Sequence, residues 1–490
     1  MKSAYLALDQ GTTSTRAIVF GVDGGTICSS SHELIQLFPK DGWVEHDLEE
    51  IWRACLSVVI KTIADAEQLG YRVDAMGITN QRETTCIWNV HSGAPVCNAI
   101  VWQDRRTSDF CKDLVEQGHE KWVSEQTGLR IDPYFSASKI RWILSNITGA
   151  RQLADQGDLL FGTIETFLIW RFTGGKHHLT DATNAARTSL LNIKSGKWDE
   201  KLCDLFGVPK SILAEIRDCT DIDVDTTVLP GRQIRILSAI GDQQSAALGQ
   251  ACFLEGDTKS TYGTGCFVTV NTGAQFVRSS NRLLTTIALQ IDGKRTYAVE
   301  GSIFIAGAAV QWLRDGMGLI ADSAETAVRA EAAADSELYM VPAFTGLGAP
   351  WWAPDARGSV YGITRNTGPN DFVRAALDSV AYQTSDLFDA LVRDGISLKT
   401  VRVDGGMAAN NWFLQRLSDI LDKKIERPSI IETTAFGACM LTALADGAIG
   451  GLEDIARTWK LDRSFTSLMD ADVRRRLKMG WDRAVRKTIL

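Results

Sequence analysis

The chain has 490 residues, 45% hydrophobic and 23% charged, a globular balance that rules out global disorder and, at about 150 residues per domain, points to two to four domains. Its 52 Lys+Arg against 60 Asp+Glu leave a net charge of −8, which argues against a general binder of nucleic acid or anionic membrane, since phosphate partners reward a basic face. The opening MKSAYLALDQG shows no basic segment ahead of an apolar core, and no apolar run approaches the ~20 residues of a membrane span. With ten cysteines and no CxxC, reduced core thiols in a cytoplasmic protein are expected.

Residues 4–8 and 17–20 are apolar runs around Asp9, Gln10, Gly11, Thr12, Thr13 and Ser14, which reads as a β-hairpin. Leu48, Trp52, Cys55, Leu56, Val59 and Ile63 recur at helical spacing and predict a helix over about 48–69, capped by Asp47 and stopped by Gly70. A strand near 72–79 follows, then the polar junction Asn80-Gln81-Arg82-Glu83 and a further strand. Residues 234–240 read as a strand, 241–244 as a Gly-Asp-Gln-Gln turn, and Ser245 onward as a helix. Residues 261–265 (Thr-Tyr-Gly-Thr-Gly) then turn into a strand over 266–270. Strand, Asp-Gln turn and Gly/Thr loop thus occur twice, about 230 residues apart, and imply two related halves. Farther on, 371–393 is helical, 401–404 a strand, Gly405-Gly406 a turn and 408–421 a helix. Alternating strands and helices place the chain in the α/β class.

The chain contains no GxxxxGK[ST], GxSxG, HExxH or GxGxxG, and its six histidines lack metal-ligand spacing. What remains is three glycine-bearing turns at strand ends: 9–14, 262–265 and 404–406. Glycine admits conformations in which backbone N–H groups converge on phosphate oxygens, and Thr or Ser hydroxyls add donors. Asp9 at a strand end suits Mg²⁺, a hard ion that prefers carboxylate and water oxygens. The same residues are also plain turn formers. Asp242 ahead of a helix reads either as an N-cap or as a base taking a proton from a substrate hydroxyl. Phosphoryl transfer needs a positioned nucleophile more than a strong base. Arg82-Glu83 is either a surface ion pair or a donor–acceptor pair matched to adjacent hydroxyls. Trp102 and the pair Trp351-Trp352 are core residues or walls of a small site.

LALDQGTTSTRAIVF, GITNQRETTCIWN, AIVWQDRRT, TGLRIDPYFSASK, GDQQSAALGQ, TYGTGCF, EGSIFIAGAAVQWLRD, VPAFTGLGAPWW and VDGGMAANN, in that order, resemble the glycerol kinase family among the carbohydrate kinases. The resemblance spans roughly residues 4–485. It implies two duplicated actin/hexokinase-like (ribonuclease H-like) α/β domains facing an interdomain cleft, over 1–248 and 249–490. The first would bind polyol and carry the phosphate loop; the second would bind nucleotide. The implied reaction is ATP-dependent phosphorylation of glycerol with Mg²⁺, by a homo-oligomer (dimer or tetramer). By the same resemblance, Asp9 would position Mg²⁺ through water, Thr12, Thr13 and Ser14 would line the ATP phosphates, and Arg16 would sit behind them near the ADP phosphates. Thr264, Gly307 and Gln311 would contact nucleotide, with Gly406 and Asn410 beside the adenosine. Arg82, Glu83, Trp102, Tyr134, Asp242, Gln243 and Phe267 match the family's glycerol pocket, Asp242 as base. Two segments depart from the family pattern. DIDVDTTVLPGRQIRI replaces a Gly/Lys-rich loop that binds a bisphosphate inhibitor, and Ala353 stands where an Asp is usual. Rival readings are a kinase of another polyol or ketose, a catalytically silent sensor, and an actin-like ATPase.

Overall fold

The computed structural model describes residues 1–490 apart from 334–336, 354 and 431. Strands β1 (Lys2–Gln10) and β2 (Ser14–Gly21) form the expected hairpin, with Leu8 opposite Ala17 and Asp9 opposite Arg16, and β3 (Thr26–Glu33) extends it. Helix α1 (Leu48–Gln68) follows, and Asp47 accepts the N–H groups of Glu49 and Glu50 as its N-cap. Strand β4 (Tyr71–Asn80) returns parallel to β1. Much later β5 (Val224–Asp225) and β6 (Arg235–Gly241) complete a sheet of order β5-β6-β4-β1-β2-β3. Side chains alternate along β1 as strand geometry demands. Leu6 and Leu8 pack with Trp52, Cys55 and Val59 of α1, while Tyr5 and Ala7 face the opposite layer.

A second sheet joins β7 (Thr258–Tyr262), β8 (Cys266–Gly273), β9 (Leu284–Ile291), β10 (Lys294–Ile303), β11 (Val401–Asp404), β12 (Ile425–Pro428) and β13 (Leu461–Phe465) in the order β9-β10-β8-β7-β11-β12-β13. Its hairpin β7–β8 repeats β1–β2, and β11 runs parallel to β7 as β4 does to β1. The duplication is therefore present in a different register from the one the Asp-Gln pairs imply. Asp242-Gln243 follows β6 of the first sheet and opens a helix, whereas the counterpart of the Asp9 hairpin is the turn after Tyr262.

Local boundaries differ in related ways. Helix α2 spans Ser136–Asn146. Residues 241–244 are not a turn, because α3 (Asp242–Gly249) starts at Asp242 with Gly241 in extended conformation before it. Thr261 and Tyr262 belong to β7 rather than to the turn. The short helix α4 (Gly307–Gln311) opens after β10, and α5 (Pro369–Arg393) is the long helix read near 371–393. Residues 406–409 form a separate 3₁₀ turn, so α6 (Asn411–Leu421) begins later than expected, where the Asn410 side chain accepts the Phe413 N–H.

Helix α7 (Thr433–Ala445) joins the two halves. Its first residue donates a hydroxyl to Asp404 of the second sheet (2.7 Å), while Phe436, Cys439 and Met440 pack on Tyr5, Ile18 and Phe20 of the first. A Cβ on Gly77 would fall 2.1 Å from Thr442 Oγ1, and one on Gly437 would fall 1.9 Å from the Ser245 carbonyl. Glycine lets α7 lie against β4 and cross α3. The departing segment at 221–236 carries surface ion pairs, Arg232 with Glu67 (2.6 Å) and Arg235 with Asp223 (2.7 Å). All ten cysteines are free, eight of them buried, and among the described residues no helix is long and apolar enough to cross a membrane.

Candidate active site

The turn between β1 and β2 is supported from beneath by a glutamine ladder. Gly11 N–H donates to Ser14 C=O (2.9 Å), Gln10 Nε2 donates to Gly11 C=O (2.7 Å), and Gln81 Nε2 donates to Gln10 Oε1 (3.1 Å). Buried His46 lies 3.4 Å from that Gln81 nitrogen, and burial lowers its pKa to about 4, so it stays neutral. Thr13 is exposed, and Thr12 and Ser14 are half-buried. Asp9 closes β1 at the same end. Burial, then the charge of Asp242, raises its carboxyl to about 7. A carboxylate raised by a second one beside it suits a cation between the two. Among the described residues no cluster of three metal-ligating side chains exists, so a divalent ion here would draw its remaining ligands from water and phosphate. Arg16, expected behind the phosphates, is paired with Glu432 at 2.9 Å.

Arg82 and Glu83 are buried rather than a surface pair. Glu83 takes a left-handed φ of 62°, and the Thr84 N–H bonds back to Arg82 C=O (2.7 Å), a sharp turn that brings both side chains together at the end of β4. Arg82 grips Glu300 with both terminal nitrogens (2.7 and 3.2 Å), and its Nε lies 3.3 Å from Asp242 Oδ1. Glu83 receives Arg187 Nε at 2.5 Å, and Arg187 reaches Glu300 at 3.0 Å. Burial alone would raise both acids. Arg187 and Arg82 outweigh it at Glu300, which falls to about 2, whereas burial prevails at Glu83. The Asp242 side chain, 30% exposed, does not cap α3; its oxygen accepts the neighbouring Gln243 N–H at 2.7 Å.

Aromatic walls complete this cluster. Trp102 lies edge-on to Tyr134 (5.6 Å) and Phe267 (6.1 Å), and its indole N–H donates to Thr12 Oγ1 (2.9 Å). Tyr134 is held by Lys139 of α2, a buried lysine that donates to the Tyr134 carbonyl (2.7 Å) and whose pKa burial lowers to about 8. Gln243 receives a second buried lysine, Lys259, at 2.6 Å. The residues expected around a polyol therefore gather where the two sheets meet, and the Trp102 indole bond to Thr12 ties them to the β1–β2 turn.

The nucleotide-type residues form a separate group on the second sheet. The Thr264 carbonyl accepts from Ala306 (2.9 Å) and Ala308 (3.0 Å), so the β7–β8 turn packs on the start of α4. A Cβ on Gly307 would fall 2.6 Å from the Gly263 carbonyl. Gly406 follows Gly405, which sits at φ 87° against Tyr262, and Asn410 Nδ2 donates to Thr326 (3.1 Å). The Gln311 side chain is exposed. Among the described residues no hydrogen bond joins Gln311, Gly406 or Asn410 to the polyol-type cluster.

Trp351 and Trp352 do not wall that cluster. Their indoles donate to Asp386 (2.9 Å) and to the Arg282 carbonyl (2.8 Å), and Ala353 pairs with Leu347 in the same loop. Sequence reasoning assigned no role to Arg187, Lys259 or Glu300. A lone charge inside an otherwise apolar strand, as in TYAVEGSI around Glu300, was the available signal, because such charges are buried only when paired.

Residues 4–249 match the FGGY family of carbohydrate kinases, N-terminal domain, and residues 258–445 match its C-terminal domain. A glycerol kinase of Allorhizobium ampelinum is 53% identical, covering 100% of this chain and 99% of that protein. Glycerol kinase 1 of Pseudomonas aeruginosa is 54% identical, covering 99% of each. The structure of Plasmodium falciparum glycerol kinase with ADP superposes with a TM-score of 0.93 at 37% identity, covering 100% of this chain and 99% of that one. A ligand-bound xylulose kinase from Lactobacillus acidophilus shares the fold at 20% identity and a TM-score of 0.88, over 99% and 98% of the two chains. With both halves matched in order, the chain belongs to the FGGY family of carbohydrate kinases.

Proposed function

We propose that this chain transfers the γ-phosphoryl group of ATP to a terminal hydroxyl of glycerol, giving sn-glycerol 3-phosphate and ADP. The observation that carries the reading is the buried Arg82/Glu83 pair, with Arg82 beside Asp242, together with the aromatic trio Trp102, Tyr134 and Phe267. A charged donor and a charged acceptor side by side match two adjacent hydroxyls, and the aromatic edges match a three-carbon backbone. Groups built to hydrogen-bond hydroxyls discriminate against analogues that leave them unpaired.

In this reading Asp242 takes the proton of the attacking hydroxyl. That oxygen bonds to the γ-phosphorus as the bond from phosphorus to the β–γ bridging oxygen breaks, and ADP leaves with the bridging pair. Thr12, Thr13, Ser14 and Arg16 hold the phosphates, while Thr264, Gly307, Gln311, Gly406 and Asn410 hold the nucleoside end. Residues 1–248 thus serve mainly the polyol and 249–490 mainly the nucleotide. Asp9 would hold Mg²⁺ through water, and the ion when bound neutralises phosphate charge. Approach of the two halves excludes water and aligns the hydroxyl with phosphorus.

The test is ADP release from Mg-ATP with glycerol, dihydroxyacetone, erythritol, xylulose, ribulose or no acceptor. Strong dependence on glycerol is expected. Preference for another acceptor would overturn the pocket assignment, and acceptor-independent release would indicate an ATPase. Asp242→Asn is expected to lower kcat by roughly 10²–10⁴-fold while leaving ATP binding largely intact; near-normal turnover would remove Asp242 as the base.

A further inference from the structure

The Arg82–Glu300–Arg187–Glu83 chain has a feature that the reaction itself does not require. Three of its members come from the first half of the molecule, while Glu300 lies on β10 in the second sheet, paired with Thr269 of β8. Glu300 is fully buried, and so is the Arg187 side chain. Among the described residues, the Glu300 carboxylate accepts only from the two guanidinium groups: Oε2 from Arg82 at 2.7 Å, Oε1 from Arg82 at 3.2 Å and from Arg187 at 3.0 Å. Arg187 in turn fixes Glu83 (2.5 Å), and its guanidinium lies 5.4 Å from the Tyr134 ring centre. One carboxylate from the second sheet therefore orients Arg82 directly and acts on Glu83 and Tyr134 through Arg187.

We infer that Glu300 is a specificity-determining positioning residue, which sets the aim of the Arg82 and Glu83 side chains at the substrate's hydroxyls from the opposite half of the molecule. The inference rests on the polyol reading above. The physical case is one of geometry and charge. A guanidinium is a planar fork, so once two of its nitrogens are taken by a carboxylate the direction of the third is determined. That third nitrogen, Arg82 Nε, is the one beside Asp242. Two arginines buried side by side would repel, and the carboxylate between them lets them share one small space. Because Glu300 arrives from the second sheet, the pocket acquires this aim only when the two halves are seated together.

The test compares wild type, Glu300→Gln, Glu300→Asp and Arg187→Lys. It measures KM for glycerol, KM for ATP, and the kcat/KM ratio of glycerol to propane-1,2-diol, which lacks one hydroxyl. Glu300→Gln is expected to raise KM for glycerol at least tenfold while KM for ATP stays within twofold. The preference for glycerol over the diol should shrink by a similar factor. Arg187→Lys, which keeps the charge but loses the fork, should move the same two quantities in the same direction. A glycerol KM within twofold of wild type overturns the inference. So does a parallel rise in both KM values, the mark of general loosening. Should Glu300→Gln not fold, Glu300→Asp decides, since it keeps the charge while shortening the reach. If the wild-type chain shows no glycerol dependence, the polyol reading fails, and that result is separate from the behaviour of the variants.

Discussion

Asp9 sits at the end of β1, where burial and the neighbouring Asp242 raise its carboxyl to about 7. A raised acid means that the folded chain keeps a proton which the unfolded chain has already lost. The stability this contributes is complete below the ordinary carboxylate range and disappears as pH rises through about 7. The ligand-free protein should therefore show a melting temperature that falls between about pH 4 and 7. Asp9→Asn should flatten that part of the profile and melt a few degrees higher at the alkaline end, while losing at least tenfold in turnover. Thermal melts at several pH values, with and without Mg-ATP, check both halves of this statement. A second prediction concerns Trp102, whose indole N–H is the bond between the aromatic wall and Thr12. Trp102→Phe keeps a ring but removes the donor. It should raise KM for ATP as well as KM for glycerol, severalfold each; a change in the glycerol constant alone would show that the bond carries no coupling.

At the level of elements, Gly307 illustrates how a turn can depend on one missing methyl. Its would-be Cβ meets a backbone carbonyl at 2.6 Å, and backbone cannot swing aside as a flexible side chain can. Gly307→Ala should displace the β7–β8 turn from α4 and raise KM for ATP about tenfold, a loss of ~1.4 kcal/mol, with the glycerol constant little changed. Steady-state kinetics on both substrates test this. Much of this scaffold was legible in the chain. Leu48, Trp52, Cys55 and Val59 mark α1 because burial on one face imposes helical spacing, and the apolar runs flanking Asp9 and Ser14 mark the hairpin. The repeat was legible in kind but not in register. Asp242-Gln243 resembles Asp9-Gln10 in sequence, yet it opens a helix after a parallel strand, and only strand pairing distinguishes the two settings. Glu300 and Arg187 lie 218 and 104 residues from the partners they serve, so nothing local could connect them. The grouping of the seven residues expected around a polyol comes from family resemblance, which supplies long-range information that spacing does not.

Across the whole molecule, α7 starts on the second sheet and packs on the first, so the halves share a layer. A methyl on Gly437 would push α7 off α3, since the added carbon would lie 1.9 Å from the Ser245 carbonyl oxygen. Overpacking of this kind costs about 1–3 kcal/mol. Calorimetry on Gly437→Ala should show one transition moved to lower temperature; two separated transitions would mean that the halves unfold independently. The same crossing bears on how the protein can be divided for use as a split reporter or a modular scaffold. A cut between residues 248 and 249 looks natural along the chain, but it would strip the first sheet of the helix that covers Tyr5, Ala7, Ile18 and Phe20. The amino-terminal fragment would then present an apolar face to water and aggregate before its partner arrived. Fragments that reassemble would need residues 433–445 fused back onto the first piece, in defiance of their order in the gene.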